Sequence, residues 1–384
     1  MLLDSVHLPR GAAVALGTLA LFALLPFHGS GTPGGGLAKE YKTPIPPQPV
    51  TTPTQPPGNH RLAGINTMPG MRPWHYYGAN PDSWWCVTPN CTAANPLQQI
   101  TTEMGWAKQT GVTYLRIEFD WPLIEPQRGQ FNWTRADYIV HTAASDGVQL
   151  APVLVFSPNW ACASTTCSPS AADFSAFVSA VVSRYKTSIH VWEMWNEPDG
   201  PNYWTDSEQS YVQNVLIPGY QAAKSADHTS QVELGAPAYA DAGWLNTIYS
   251  DGGGNSFDIM GWHDYNGGST VVGDANTVEG VLQAHGQATK PVWLGEFGVQ
   301  EQTTNDIQQQ ALLQTVYEAQ NSPIAAAFWY NLRDDSAYNC CPPQDVKDAY
   351  WGLVQRGGAQ KQGLALLQRL IAAGLPPIGI AGGH

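Results

Sequence analysis

From about residue 60 onward, short apolar or β-branched runs alternate with stretches of helical character. Alternation of this kind is the signature of parallel strands joined by crossover helices. Eight runs can be counted: Leu62–Asn66, Val112–Phe119, Val148–Phe156, Ile189–Asn196, Val232–Ala236, Phe257–His263, Val292–Glu296 and Ile324–Tyr330. Between them, Asp173–Tyr185 carries Phe174, Phe177, Val178, Val181 and Val182 on one stripe at helical spacing, and Ile307–Gln320 reads as a second helix. Eight such units predict an α/β fold, a single (β/α)8 TIM barrel over residues 60–384, closed by one helix near Gln360–Ala373.

What precedes the barrel reads differently. Arg10 is followed by an uninterrupted apolar run, Gly11–Phe27, the layout of a positive n-region and an h-region. Residues 1–30 therefore read as a cleaved signal peptide or an uncleaved signal anchor, with membrane anchoring through residues 11–27 in the second case. Residues 31–59 are rich in Pro, Gly and Thr, which bury little apolar area and favour extended conformations, so they read as a linker. The expected location is secreted, or anchored and facing outside. Six cysteines fit an oxidising compartment, with Cys86–Cys91 and Cys162–Cys167 expected as local bridges. The adjacent Cys340 and Cys341 stay open between a vicinal ring, a partner elsewhere and reduced thiols.

Composition removes some function classes. With a net charge of −13 and 18 Lys and Arg spread thinly, the chain lacks the clustered basic residues on which nucleic-acid affinity depends. Ten His residues show no ligand-spaced cluster, and no metal or other cofactor is expected. The oligomeric state is not legible.

Active sites of such barrels form at the C-terminal ends of the strands. Trp195-Asn196-Glu197-Pro198 ends the fourth run, where proline stops pairing and leaves Glu197 at the rim. Leu294-Gly295-Glu296-Phe297-Gly298 ends the seventh with another carboxylate. The two glutamates are 99 residues apart, three steps of 33, near the roughly 31 expected per unit. Strands four and seven face each other across a barrel mouth. Facing carboxylates suit glycosidic cleavage: one protonates the leaving oxygen, the other attacks the anomeric carbon, and a gap of about 5 to 5.5 Å gives retention of configuration. Glu193, expected on the same strand face as Trp195 and Glu197, reads as an interior structural acid.

These endings resemble those of the clan A retaining glycoside hydrolases, including families 5 (cellulase-like) and 39. The resemblance runs from about Leu62 to Leu367. It is carried further by Leu115-Arg116-Ile117, by Trp121 through Glu125-Pro126 to Gly129-Gln130-Phe131-Asn132-Trp133, by His263-Asp264-Tyr265, by Phe328-Trp329-Tyr330 and by Trp351-Gly352-Leu353-Val354. It implies Glu197 as acid/base and Glu296 as nucleophile. It further implies that Asn196 bonds the sugar 2-hydroxyl, Arg116 holds Glu296 ionised, Tyr265 bonds the nucleophile, His263 lines the sugar site and Trp329 is the platform beneath the sugar. The implied activity is hydrolysis of O-glycosidic, β-linked bonds of an oligo- or polysaccharide. Trp74, Trp84, Trp85, Trp160 and Trp204 fall on expected rim loops, as subsites of a chain-binding cleft would. A transglycosylase remodelling an envelope polysaccharide would use the same residues, and a non-catalytic carbohydrate-binding barrel is the alternative outside enzymology.

Overall fold

The computed structural model describes residues 62–66, 96–266, 270–318, 322–334, 350–355 and 357–372, all within the unit Pro53–His384. Eight parallel strands form one sheet: β1 Leu62–Asn66, β2 Tyr114–Asp120, β3 Gln149–Val155, β4 Val191–Met194, β5 Gln231–Leu234, β6 Met260–Asp264, β7 Val292–Phe297 and β8 Ile324–Tyr330. Their order is β5-β4-β3-β2-β1-β8-β7-β6, so that β1 pairs with both β2 and β8. The remaining seam, between β5 and β6, is spanned by a single parallel bridge, Glu233 to Ile259, not by a ladder. There the Ile259 amide donates to the Val232 carbonyl (3.1 Å) and the Leu234 amide to the Ile259 carbonyl (3.0 Å). The architecture is the (β/α)8 fold.

Two apolar layers follow from the two-residue period of the strands. Tyr114, Ala151, Val191, Ile259, Trp293, Ala326 and Phe328 form a small cluster of their own, contributed by six strands or their immediate ends; it fills the barrel interior. The alternate residues join the larger cluster between sheet and helices. The expected stripe on Ala171–Tyr185 lies in that layer with all five named residues buried, and Ser170 caps the helix by accepting from the Asp173 amide. Glu208–Ala226 is helical but is interrupted by a π-turn at Val212–Leu216. Just before that turn, the Tyr211 hydroxyl donates to the Met194 carbonyl (2.9 Å) and accepts from the Gly235 amide (3.0 Å), tying the ends of β4 and β5 together.

β1 and β8 have the bounds expected from sequence; β4 is shorter than the expected Ile189–Asn196. The physical reason is a change of backbone region: Trp195 has φ 82° and Glu197 φ 41°, outside the extended range a strand requires. The closing helix is Gln362–Ala372, close to expectation. Cys162 and Cys167 stand at disulfide distance in the loop after β3. The apolar run 11–27, the linker 31–59 and the other four cysteines lie outside the described residues, among which no helix is long and apolar enough to cross a membrane.

Gly235 leaves no room for a side chain, since a Cβ there would lie 2.5 Å from the Met194 carbonyl oxygen and 2.9 Å from that of Trp195. Backbone cannot yield as a side chain can. Gly235→Ala is expected to destabilise the fold by about 2–3 kcal/mol, read as a lower urea midpoint at unchanged m-value.

Candidate active site

Above the apolar filling of the barrel sits one guanidinium. Strand alternation turns Arg116 of β2 inward, and its side chain is 1% exposed. Its Nε donates to Glu193 Oε2 (2.6 Å) and its Nη2 to Glu193 Oε1 (2.8 Å), a two-point fork that fixes the plane of the group. In that plane Nη1 donates to Glu296 Oε1 (2.7 Å) and Nη2 also donates to Asn196 Oδ1 (2.7 Å). Burial works against the charge of Arg116, but the carboxylates of Glu193 and Glu296 outweigh it and hold the group firmly protonated. Glu193 is fully buried and also accepts from the Ala236 amide (3.1 Å), as an interior structural acid would.

The end of β4 departs from the expected alternation. At φ 82° Trp195 swings out of the barrel, into contact with Trp204 (ring centroids 5.2 Å), Phe174 and Phe156, and its indole N–H donates to the Tyr203 carbonyl (2.9 Å). The expectation that Trp195 shares a face with Glu193 and Glu197 is therefore corrected. Its outward turn brings Asn196 to Arg116, and Glu197 reaches the mouth, its amide donating to the Ala236 carbonyl (3.0 Å).

Strands β6 and β7 complete the site. A one-residue register shift at Trp262/His263 makes Glu296 the partner of His263. His263 Nδ1 lies 2.8 Å from Glu197 Oε1 and 3.6 Å from Glu296 Oε2, and the Tyr265 hydroxyl donates to Glu296 Oε2 (2.5 Å). One ligand-type atom from each of Glu197, His263 and Glu296 lies within 4.8 Å of the others, so the two carboxylates approach at least that closely. Such a trio offers ligand-like spacing for a metal, yet both oxygens of Glu296 already accept from N–H or O–H donors, a carboxylate dressed for hydrogen bonding. Burial lowers the proton affinity of His263, but Glu296 and the contact with Glu197 raise it further, and the net shift is upward. Burial, then the charge of Glu296, pushes the Tyr265 phenol well above its usual range, so Tyr265 remains a donor.

The structure thus brings Arg116, Asn196, Glu197, His263, Tyr265 and Glu296 together. Trp329 it does not. Phe328 faces the barrel interior against Trp293 (5.4 Å), so its neighbour Trp329 points to the outer layer, where it is fully buried against Phe297 (5.3 Å) with its N–H on the Trp351 carbonyl (3.2 Å). The residues at the mouth on this side are Tyr330 and Trp351, whose rings lie 6.2 and 5.0 Å from that of Tyr265. Trp204, expected on the rim, is 4% exposed and packs on Trp195 and Tyr211. Trp160 is half-buried with Arg128 over its ring, while Trp74, Trp84 and Trp85 lie outside the described residues.

Sequence reasoning also passed over Glu233. It pairs with Glu193 across the β4–β5 ladder, is fully buried, and neither carboxyl oxygen has a hydrogen-bond partner. Gly261 opposite makes the space, since a Cβ there would run into the Glu233 carboxyl. The available signal was a glutamate inside the apolar run Val232–Leu234. Burial and then the charge of Glu193 push its carboxyl well above the usual range, against the pull of Arg116.

Two expectations follow. A raised carboxyl costs nothing below its unfolded value of about 4.3, and stability falls as pH rises from there towards the folded value. The melting temperature of Glu233→Gln relative to wild type is therefore expected to climb between about pH 5 and 8; a difference independent of pH would mean Glu233 is ionised when folded. Trp329→Phe is expected to cost about 1–3 kcal/mol of stability and to leave KM within about twofold, which thermal melts and steady-state kinetics would check.

Comparison with known proteins fits this geometry. Residues 88–241 match the family described as Glycosyl hydrolase family 10, and residues 168–358 match that described as Glycosyl hydrolase catalytic core. Among solved structures, a family 39 glycoside hydrolase from the gut symbiont Bacteroides cellulosilyticus WH2 superposes with a TM-score of 0.60 at 17% identity, over 72% of this chain and 61% of that one. A monomeric β-xylosidase from Caulobacter crescentus CB15 gives 0.60 at 16% identity, over 80% and 66%. Xylanase 10B from Thermotoga petrophila RKU-1, in complex with xylobiose, gives 0.56 at 13%, over 82% and 95%. The chain spans less than two thirds of the length of the first two, and at these identities the structural likeness is one of fold.

Proposed function

We propose that this chain, which matches glycosyl hydrolase family models over residues 88–241 and 168–358, is a clan A glycoside hydrolase that cleaves β-linked O-glycosidic bonds of an oligo- or polysaccharide with retention, using Glu197 as acid/base and Glu296 as nucleophile. The observation that carries the reading is the approach of the two carboxylates to within 4.8 Å, too close for a water to attack between them and in keeping with the spacing of about 5–5.5 Å for double displacement. The relatives named β-xylosidase and xylanase support a neutral sugar polymer as substrate.

In this reading Glu296, held at both oxygens by Arg116 and Tyr265, attacks the anomeric carbon as the glycosidic C–O bond breaks. The departing oxygen takes the proton of Glu197. His263 occupies Glu197 Oε1, which leaves Oε2 for the leaving group. Asn196 has its Oδ1 committed to Arg116, so its NH2 points onward as a donor for the sugar 2-hydroxyl. In the second step Glu197 removes a proton from water, whose oxygen displaces Glu296 and restores the original configuration. The disulfide-distance pair Cys162 and Cys167 supports a location outside the cytosol, behind the apolar run 11–27.

The test is product analysis by mass spectrometry and anomeric proton NMR, with β-glucans, xylans, mannans and envelope polysaccharides as substrates. The first-formed product is expected to keep the β configuration, the pH profile to be bell-shaped, and Glu296→Gln to yield no product. Glu197→Ala is expected to lose about 10²–10⁴-fold on natural linkages and to be rescued in part by azide on activated substrates, giving the β-glycosyl azide. Full activity in Glu197→Ala, or an inverted product, would overturn the assignment.

A further inference from the structure

The loop after β3 has little with which to hold its own shape. Between Trp160 and Pro169 every residue other than Cys162 and Cys167 is Ala, Ser or Thr, too small to fix a conformation by apolar burial. The loop nevertheless makes a row of directed contacts. The Thr165 carbonyl accepts from the Ser157 amide (2.8 Å) and the Cys167 carbonyl from the Ser157 hydroxyl (2.8 Å), which ties the loop to the end of β3. On its other side the Thr166 carbonyl accepts from the Thr205 amide (3.0 Å) and the Ser168 amide donates to Asp206 Oδ2 (2.7 Å). The Ser168 hydroxyl also accepts from Asn214 Nδ2 (3.0 Å), in the π-turn Val212–Leu216. Every loop group in this row belongs to Thr165–Ser168, inside or next to the stretch that Cys162 and Cys167 close.

The segment held in this way is the one that follows Glu197. The Gly200 amide donates to the Glu197 carbonyl (3.1 Å), the Tyr203 and Trp204 amides donate to the Gly200 carbonyl (3.1 and 2.9 Å), and Thr205 comes next. The Tyr203 carbonyl accepts the indole N–H of Trp195, and the Trp204 ring packs on that of Trp195. The outward turn of Trp195, which brings Glu197 to the mouth, is thus supported by Tyr203 and Trp204, and the segment carrying them is anchored to the cysteine loop through Thr205 and Asp206. Glu296 has no such dependence, being held by Arg116 and Tyr265. We infer that the Cys162–Cys167 bridge is a positioning element for the acid/base: it shapes the loop that clamps the segment after Glu197, and opening it impairs proton transfer while sparing nucleophilic attack. A bridge between cysteines five positions apart adds little global stability, because the entropy it removes from the unfolded chain grows with loop length. Its effect is local. The inference rests on the proposed roles of Glu197 and Glu296.

The experiment compares wild type with the double variant Cys162→Ser, Cys167→Ser on two substrates. One is an oligosaccharide of whichever polymer is cleaved; the other is the matching dinitrophenyl β-glycoside, whose leaving group departs without a proton. In the double variant kcat/KM is expected to fall about tenfold on the oligosaccharide and to stay within about twofold on the dinitrophenyl glycoside. On the latter kcat should fall, since the second step needs Glu197 as base, and azide should restore it by displacing Glu296 with no proton to move. Asp206→Ala keeps both cysteines and removes the contact to the Ser168 amide. It is expected to show the same split at about threefold, and it decides the question if the double variant does not fold. An equal fall on both substrates, no fall on either, or free thiols at both positions in the wild-type protein overturns the positioning role while leaving the catalytic assignment standing. A wild-type protein inactive on both substrates overturns the catalytic reading instead. Hydrogen exchange then decides the brace: faster exchange of the amides of residues 195–206 in the double variant supports it, and unchanged exchange there overturns it.

Discussion

The site depends on one positive charge in a dry place. Arg116 has five N–H groups in a rigid plane, and two of its contacts go to a single carboxylate, Glu193, that takes no direct part in the proposed chemistry. Buried ion pairs of this kind contribute little net stability, because desolvation offsets most of their attraction. What the fork supplies is direction. With Nε and Nη2 pinned on Glu193, Nη1 can only project towards Glu296 and the remaining Nη2 hydrogen only towards Asn196. Glu193 is in turn held by the Ala236 amide, so the orientation of the proposed nucleophile is set by the backbone just beyond β5, three strands from Arg116. A third carboxylate, Glu233, is tolerated beside this pair because Gly261 gives it space and the folded chain favours its neutral form.

Presenting the opposing glutamate requires breaking the strand pattern. In a regular β4 the inward positions would pass from Glu193 to Trp195, and a tryptophan would fill the mouth. The left-handed φ values at Trp195 and Glu197 skip that position, at a cost of about 1–3 kcal/mol each for residues with a Cβ. The surroundings offset it: Trp195 is fully buried among Trp204, Phe174 and Phe156, its N–H is satisfied by Tyr203, and the amides on either side of Asn196 are taken by Leu154 and Ala236. The register shift between β6 and β7, where consecutive Trp262 and His263 pair with Leu294 and Glu296 and Gly295 is passed over, does the same service for His263 and Glu296.

This contrast explains what could be read from the chain beforehand. The eight strands were legible because each is an apolar run bounded by polar or turn residues, and the two rim glutamates because Pro198 and the glycines flanking Glu296 end those runs visibly. Facing was not legible. Trp329 and Tyr330 are adjacent aromatics, and which one looks into the mouth depends on a phase fixed by Phe328 packing against Trp293 inside the barrel, a contact between strands. Trp204 looks like a loop residue in sequence but is drawn into the core by Trp195, whose outward turn no local pattern announces. Glu233 read as one acid among apolar neighbours, and its meaning emerges only beside Glu193 and Gly261.

The two rim glutamates come from similar strand ends, and the different roles proposed for them rest on what surrounds them. Glu296 is engaged at both oxygens, by Arg116 and Tyr265, and stands 3.6 Å from His263. It is locked in position and oriented, as a group must be that attacks along one line. Among the described residues the Glu197 carboxylate is hydrogen-bonded by one side chain, His263, at one oxygen, and its side chain is more exposed than that of Glu296, 17% against 6%. An oxygen left open to the mouth can give up a proton and take one back, whereas an oxygen already carrying a donor cannot do so without breaking that bond. The asymmetry originates in the barrel: β7 faces Arg116 and Tyr265, while the kinked end of β4 lifts Glu197 clear of both and beside the loop that follows β5. A barrel of repeated units thus yields one carboxylate held at both oxygens and one with an oxygen open to the mouth, because the end of β4 abandons the repeat.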